Sequence, residues 1–250
     1  MTRTTGCGRL GNRIIRNLAV SFIAKKHDLF VNYCDYYLIN NLLGIKLFIG
    51  KNNYTNKIIE IYDNNYIDIN YFEILNQKSI DFNLNPNNTY FQTIEISKMI
   101  LEYLNSDIIK TNIINKNPFN KRYNNNNDIF IHVRLTDVAD KNPGIKYYLK
   151  TIEKINNYEN IYLSTDEKDH IIIKQIIEKY PNTKIIDVDE IKTFQFASTC
   201  KNIILSHGSF SAVIGYLSFF SNVYYPEYDY NKKWYGDIFS LEKWNKICYL

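Results

Sequence analysis

The sequence predicts an α/β protein whose C-terminal half is a parallel sheet with helical crossovers, and three features point to it. From residue 128 onward, short β-rich runs alternate with amphipathic runs of about 10–14 residues. The stretch NKNPFNKRYNNNN at 115–127 lacks apolar periodicity and ends in an Asn tract, which marks a linker or surface loop between two halves. A chain of 250 residues that is 45% hydrophobic can form one large domain or two small ones, each with its own core. The expected division is an N-terminal α/β domain over 1–120 and a C-terminal one over 121–237. A terminal helix over 238–250 is expected to pack back on the first domain.

In chain order, 12–28 carries Ile14, Ile15, Leu18, Ala19, Phe22 and Ile23 at the spacing of an amphipathic helix. A strand at 29–33 and a helical run at 35–43 follow. Residues 46–90 are Asn-interrupted β-like runs without an assignable order, and 94–104 reads as a helix. In the second half the expected strands are DIFIHV (128–133), NIYLST (160–165), TKIIDV (183–188), NIILS (202–206) and NVYYP (222–226). Between them lie helices at 144–155, at 167–180 (stopped by Pro181), at 191–200 and at 208–220; IFSLEKWNKICYL (238–250) also has helical spacing.

Composition excludes several classes. Lys+Arg 30 against Asp+Glu 26 gives +4, too dilute for a polybasic nucleic-acid binder, so no nucleic-acid partner is expected. The chain holds 34 Asn, 39 Ile and 22 Tyr but only six Arg, the bias of an AT-rich genome. Where Lys is the default cation, each Arg is a candidate for work Lys does poorly, such as holding phosphate through two hydrogen bonds. Cys7, Cys34, Cys200 and Cys248 show no CxxC or Cys/His zinc spacing, and no metal is expected. No secretory-type apolar run opens the sequence and no stretch of ~18 apolar residues could span a bilayer; the expected location is a reducing cytoplasm.

Three segments carry chemistry, and two weaker strand-end features stand beside them. Gly6-Cys7-Gly8-Arg9-Leu10-Gly11 fits G-x-G-x-x-G, with Asp35 near the distance of a ribose-binding acid. A dinucleotide site needs a buried strand upstream, and MTRTT offers at most a short edge strand. The same glycines, with Arg9, Arg13 and Arg16 spaced i, i+4, i+7 at a helix start, also fit an anion site or a tight turn with a solvated basic face. His132-Val133-Arg134-Leu135-Thr136-Asp137 ends a strand, where open α/β sheets bind ligands; His132 and Arg134 are expected to share one side, and an Arg134–Asp137 ion pair closing the turn is the plain alternative. Ser206-His207-Gly208-Ser209-Phe210-Ser211 starts a helix and suits either N-capping or an anion. Thr165-Asp166 ends a strand. Asp187-Val188-Asp189 has the spelling of a metal motif but equally fits a ribose contact or a helix cap.

In this order, Gly8-Arg9-Leu10-Gly11-Asn12-Arg13, His132-Val133-Arg134-Leu135-Thr136-Asp137, Ser164-Thr165-Asp166 and Ser209-Phe210-Ser211 resemble the α-1,2-fucosyltransferase-like glycosyltransferases. That family has G-G-L-G-N-Q opening a helix, then H-x-R-R-G-D, a T-D strand end and a late S-x-F-S. The resemblance covers about residues 6–221 and implies two Rossmann-like domains facing across a cleft, a GT-B-like arrangement. It implies inverting, metal-independent transfer of fucose or another deoxyhexose from a nucleotide-diphosphate donor to a glycan hydroxyl, with no further cofactor. Carried over, Arg134 and His132 would face the donor diphosphate; Asp137 and Asp166, by their place at strand ends, are the candidates for a base. Gly11, Asn12, Arg13, Asp166, Ser209, Phe210 and Ser211 would line the donor site. The family's second Arg is Leu135 here, its Gly is Thr136 and its Gln is Arg13, which opens the choice to nucleotide sugars other than GDP-fucose. Two other classes stand beside this: an NAD(P)-dependent oxidoreductase using the N-terminal glycines, and a non-catalytic carbohydrate-binding module.

Overall fold

The structure is a computed structural model that describes residues 1–55, 57–62, 70–227 and 236–249. The chain forms two compact units, Met1–Lys116 with Tyr235–Ile238, and Asn117–Trp234 with Phe239–Leu250.

In the first unit, β1 (Thr2–Arg3) pairs in parallel with β2 (Val31–Asn32), and α1 (Leu10–His27) lies between them in sequence. One turn after another of α1 is buried, its last turn holds Lys25, Lys26 and His27 against the negative helix end, and Asp28 closes it in the left-handed region. The expected helix at 35–43 is a π-helix over Tyr37–Leu42. A second parallel pair joins β3 (Ile58–Glu60) to β4 (Asn83–Asn85), with α2 (Tyr71–Asn76) between them in sequence and α3 (Ile94–Asn105) and α4 (Asp107–Lys116) after. Part of the unassigned 46–90 stretch, residues 56 and 63–69, lies outside the described residues. Arg16, only 1% exposed, donates to the carbonyls of Thr5 (3.3 Å), Cys7 (3.0 Å) and Thr89 (3.4 Å). It therefore stitches the glycine loop to a distant segment, and burial pulls its pKa below the ordinary guanidinium value.

The second unit is a six-stranded, all-parallel sheet: β5 (Ile129–Val133), β6 (Ile161–Thr165), β7 (Lys184–Ile185), β8 (Asn202–Ile204), β9 (Asn222–Pro226) and β10 (Asn245–Ile247), in the spatial order β10-β9-β8-β5-β6-β7. Counted within the unit, that is the 3-2-1-4-5-6 order of a Rossmann-like α/β fold. Between the strands run α5 (Ile145–Lys154), α6 (Ile171–Lys179), α7 (Glu190–Ala197) and α8 (Ser209–Leu217). The pleat of β5 sends Ile129, Ile131 and Val133 into a cluster with Tyr147, Tyr148 and Ile152 of α5 and Ile173 and Ile176 of α6. Phe130 and His132 alternate to the other face, against Phe196 of α7 and Phe210 of α8. Both faces are covered, which is why these strands read as near-continuous apolar runs.

Local chemistry trims the expected boundaries. His170 caps α6 by accepting the Ile172 N–H at 3.2 Å, so that helix begins after residue 170 rather than at 167. Asp189 accepts from the Lys192 N–H at 2.8 Å and starts α7, while Asp187 pairs with Lys168 at 2.6 Å. Residues 115–116 finish α4, and from Asn117 onward the expected linker is tied into the second unit: Arg122 binds Asp128 at 2.7 Å and Thr199 at 3.1 Å and lies over the Phe196 ring at 4.5 Å.

The 238–250 helix is not formed. Ile238, Leu241 and Trp244 have helix-like spacing, but they are separate buried contacts of a turning chain that then extends as β10. There Ile247 and Tyr249 face inward and Lys246 and Cys248 outward, the two-residue alternation of a strand. Asn245–Ile247 pair with Tyr224–Pro226 and complete the sheet of the second unit, to which Phe239–Leu250 belong, while Ile238 belongs to the first. Trp244 stacks by Tyr216 of α8 and sits so close that a Cβ at Gly215 would overlap its ring. Gly215→Ala is expected to lower stability by about 1–3 kcal/mol through overpacking, read as a drop in the urea midpoint with an unchanged m-value.

Candidate functional site

In a sheet of this order the chain leaves β5 toward β6 on one side and β8 toward β9 on the other, so the loops beyond those two strand ends diverge, the place where folds of this order form a ligand crevice. Beyond β5 comes Arg134-Leu135-Thr136-Asp137; beyond β8 comes Leu205-Ser206-His207-Gly208, then α8. The β8 side is shaped by Gly208, whose φ of 94° lets the chain turn directly from strand to helix. Gly208 offers no capping side chain, and the first turn of α8 holds no acidic residue. The positive end of the helix dipole thus has no acidic counter-charge in its own first turn, and it lies in a buried stretch, with Ser206 0%, His207 3% and Ser209 7% exposed.

His132 bridges the two sides. Its ring is 6% exposed, its Nδ1 lies 2.6 Å from Ser211 Oγ, and it packs on Phe210 at 5.0 Å, which in turn stacks on Phe194 at 4.2 Å. Ser211 Oγ also accepts the Ser206 N–H at 3.1 Å. A hydroxyl has two acceptor lone pairs, so both imidazole tautomers satisfy this contact; the one in which Ser211 donates to Nδ1 carries the ring proton on Nε2. Burial lowers the His132 pKa to about 4, with nearby Asp166 opposing the shift, so the imidazole is neutral at pH 7. Beneath the loop, Tyr148 donates to Ser206 Oγ at 3.1 Å, while Asn142 donates to the Arg134 carbonyl at 2.8 Å and accepts the Gly144 N–H at 2.8 Å. Burial drives the Tyr148 pKa upward, which keeps its hydroxyl a donor.

Arg134 goes elsewhere. β5 ends at Val133, the strand alternation lapses, and the guanidinium is held by two carboxylates, one of them the Asp166 whose charge also reaches His132. Nη1 binds Asp166 Oδ2 at 2.5 Å and Nη2 binds Asp137 Oδ1. Asp166 is a staple between strand ends, since its Oδ1 takes the Leu135 N–H at 2.8 Å and its Oδ2 also takes the Thr136 hydroxyl at 2.6 Å. The ion pair that closes the 134–137 turn is therefore present, together with a second one that the sequence did not suggest.

The remaining expected residues lie in the first unit. Gly11 is buried in α1, and Asn12 accepts from Gln92 at 2.9 Å. Arg13 pairs with Asp35 at 2.8 Å, which places the would-be ribose acid on an arginine. Arg9, Arg13 and Arg16 do not form one solvated face, because Arg16 is buried on carbonyls. The strand upstream of the glycines is two residues long. Sequence reasoning missed Asn142 and Tyr148; the Asn142-Pro143-Gly144 turn before α5 was the available signal.

The neutral His132 has a stability consequence with a definite sign. An imidazole in the unfolded chain titrates near 6.5 and the folded one near 4, so its contribution is complete above 6.5 and lost as pH falls toward 4. We expect about 3 kcal/mol of pH-dependent destabilisation from this group, measured as the difference between wild-type and His132→Gln denaturation at pH 7 and pH 4.

In comparisons with known proteins, no family model matches this chain and no curated protein matches it at a significant level.

Proposed function

We propose that this chain is a nucleotide-sugar-dependent glycosyltransferase, moving fucose or another deoxyhexose from a nucleoside-diphosphate donor to a glycan hydroxyl with inversion. The observation that carries the reading is the uncapped, acid-free first turn of α8 at the β5/β8 divergence, with the buried His132 locked against it by Ser211. Such a helix start suits a diphosphate, because its N–H groups and dipole favour negative charge. The resemblance of 6–221 to fucosyltransferase-like enzymes supplies the sugar chemistry, and the GT-B-like pairing of two Rossmann-like domains belongs to the same proposal.

In direct displacement at the anomeric carbon, the bond to the diphosphate oxygen breaks as the acceptor oxygen bonds from the opposite face. Charge grows on the leaving diphosphate. The first-turn N–H groups of α8, the Ser209 hydroxyl and a neutral His132 Nε2–H would stabilise it there, with Arg134 as the cation of the site. A neutral imidazole can donate a hydrogen bond without protonating the leaving group first. The acceptor proton needs a carboxylate. Asp166 already serves Leu135, Arg134 and Thr136, which leaves Asp137, 55% exposed, as the base.

GDP, UDP and other nucleoside diphosphates at millimolar concentration are expected to raise the melting temperature by several degrees, since ligand at 100 times Kd adds about 2.7 kcal/mol. Arg134→Ala is expected to erase both that shift and sugar transfer. An unchanged melt across the whole panel would remove the basis for the proposal.

A further inference from the structure

Arg134 carries two partners of unequal character. Asp166 is anchored on β6, is 23% exposed and is held from behind by the Leu135 N–H and the Thr136 hydroxyl. Asp137 comes from the turn itself, three residues on, and its side chain is 55% exposed while Arg134 is 14% exposed. It lies in a 3-10 segment over Thr136–Lys141 that is broken at Val138, whose φ of −137° and ψ of 27° are not helical. The Thr136 hydroxyl also lies 3.3 Å from Asp137 Oδ1, so exchange of Asp137 off Arg134 would be a rearrangement of the turn itself rather than of the β5–β6 junction. With both carboxylates in place the trio of charges sums to −1, although Arg134 directly follows the end of β5, two residues past His132 in the chain.

On the reading that the crevice binds a diphosphate, we infer that Asp137 is a specificity-determining residue: its carboxylate occupies Arg134 Nη2 and yields only to a ligand carrying more than one negative charge. A singly charged anion replaces Asp137 like for like. It gains no charge, and it competes against a carboxylate tethered three residues away at high effective concentration. A diphosphate takes the place of Asp137 on Arg134 and brings further charge for the positive end of α8. The extra attraction is available only to the multiply charged ligand, so the same contact that masks the arginine sorts anions by charge.

The test is calorimetric titration of the whole chain with inorganic pyrophosphate, GDP and UDP, in wild type, Asp137→Asn and Arg134→Ala, with acetate as competitor. Asp137→Asn leaves the Asp166 staple intact and is expected to bind pyrophosphate about ten-fold more tightly than wild type. Acetate, a free counterpart of the Asp137 side chain, is expected to weaken pyrophosphate binding in Asp137→Asn and to leave wild type unaffected. Arg134→Ala is expected to lose pyrophosphate. If wild type binds a nucleoside diphosphate while Asp137→Asn binds pyrophosphate equally or less tightly, or if acetate competes equally in both, the role of Asp137 is overturned and the diphosphate site stands. Pyrophosphate binding that survives Arg134→Ala also overturns it. Failure of every ligand with every variant removes the site and the inference together.

Discussion

β5 is apolar or aromatic at four of its five positions, is buried at all five, and has parallel neighbours on both edges, so nothing on it can be left to solvent. Ile129, Ile131 and Val133 must be met by α5 and α6, and Phe130 and His132 by α7 and α8. Helices cover both faces and every pairing is parallel, and in the observed strand order the crossovers run outward from β5 and β8 in opposite directions, so the loops beyond their ends diverge. His132 is the one polar side chain that this burial encloses, and its position on the α8 face brings the two sides of the crevice into one hydrogen-bonded network.

The charged groups obey the same economy. An imidazole inside the sheet is kept neutral and hydrogen-bonded, since a buried cation without a partner would be costly. Arg134, at the rim, keeps its charge because carboxylates from the end of β6 and from its own turn surround it. Arg16 and Arg122 are likewise spent on holding the chain together, one on three carbonyls and one on Asp128, Thr199 and the face of Phe196. Scarcity of arginine singled out positions where two-pronged donors are used, and most of those donors bind the protein itself.

Much of the second unit was legible because its signals are local. Short β-rich runs, 10-residue amphipathic runs, Pro181 and the Asp189 cap each act within a few residues. What escaped was non-local or mimicked by chance. Helical spacing at Ile238, Leu241 and Trp244 arises from separate packing contacts in a turning chain, and only pairing with β9 makes the following residues a strand. TKIIDV shortened to Lys184–Ile185 because it forms an exposed sheet edge with a partner on one side only. At the site, the strand-end location of His132 and the hydroxyl-rich start of α8 were readable from motif and context. The His132–Ser211 contact spans 79 residues and the Arg134–Asp166 pair 32, distances at which no sequence period carries information.

The sheet order also dictates a sequence of events in time. β5 finds β6 after a single crossover, but its other edge is closed by β8, where Ile129 opposes Asn202. Until about seventy further residues have emerged and folded back, a run of Ile129, Phe130 and Ile131 presents one unpaired, strongly apolar edge. Parallel pairing across such a separation is slow, because the loop must close before any contact rewards it. The strand that makes the finished unit rigid is thus the one most exposed to misassociation while the unit is being made.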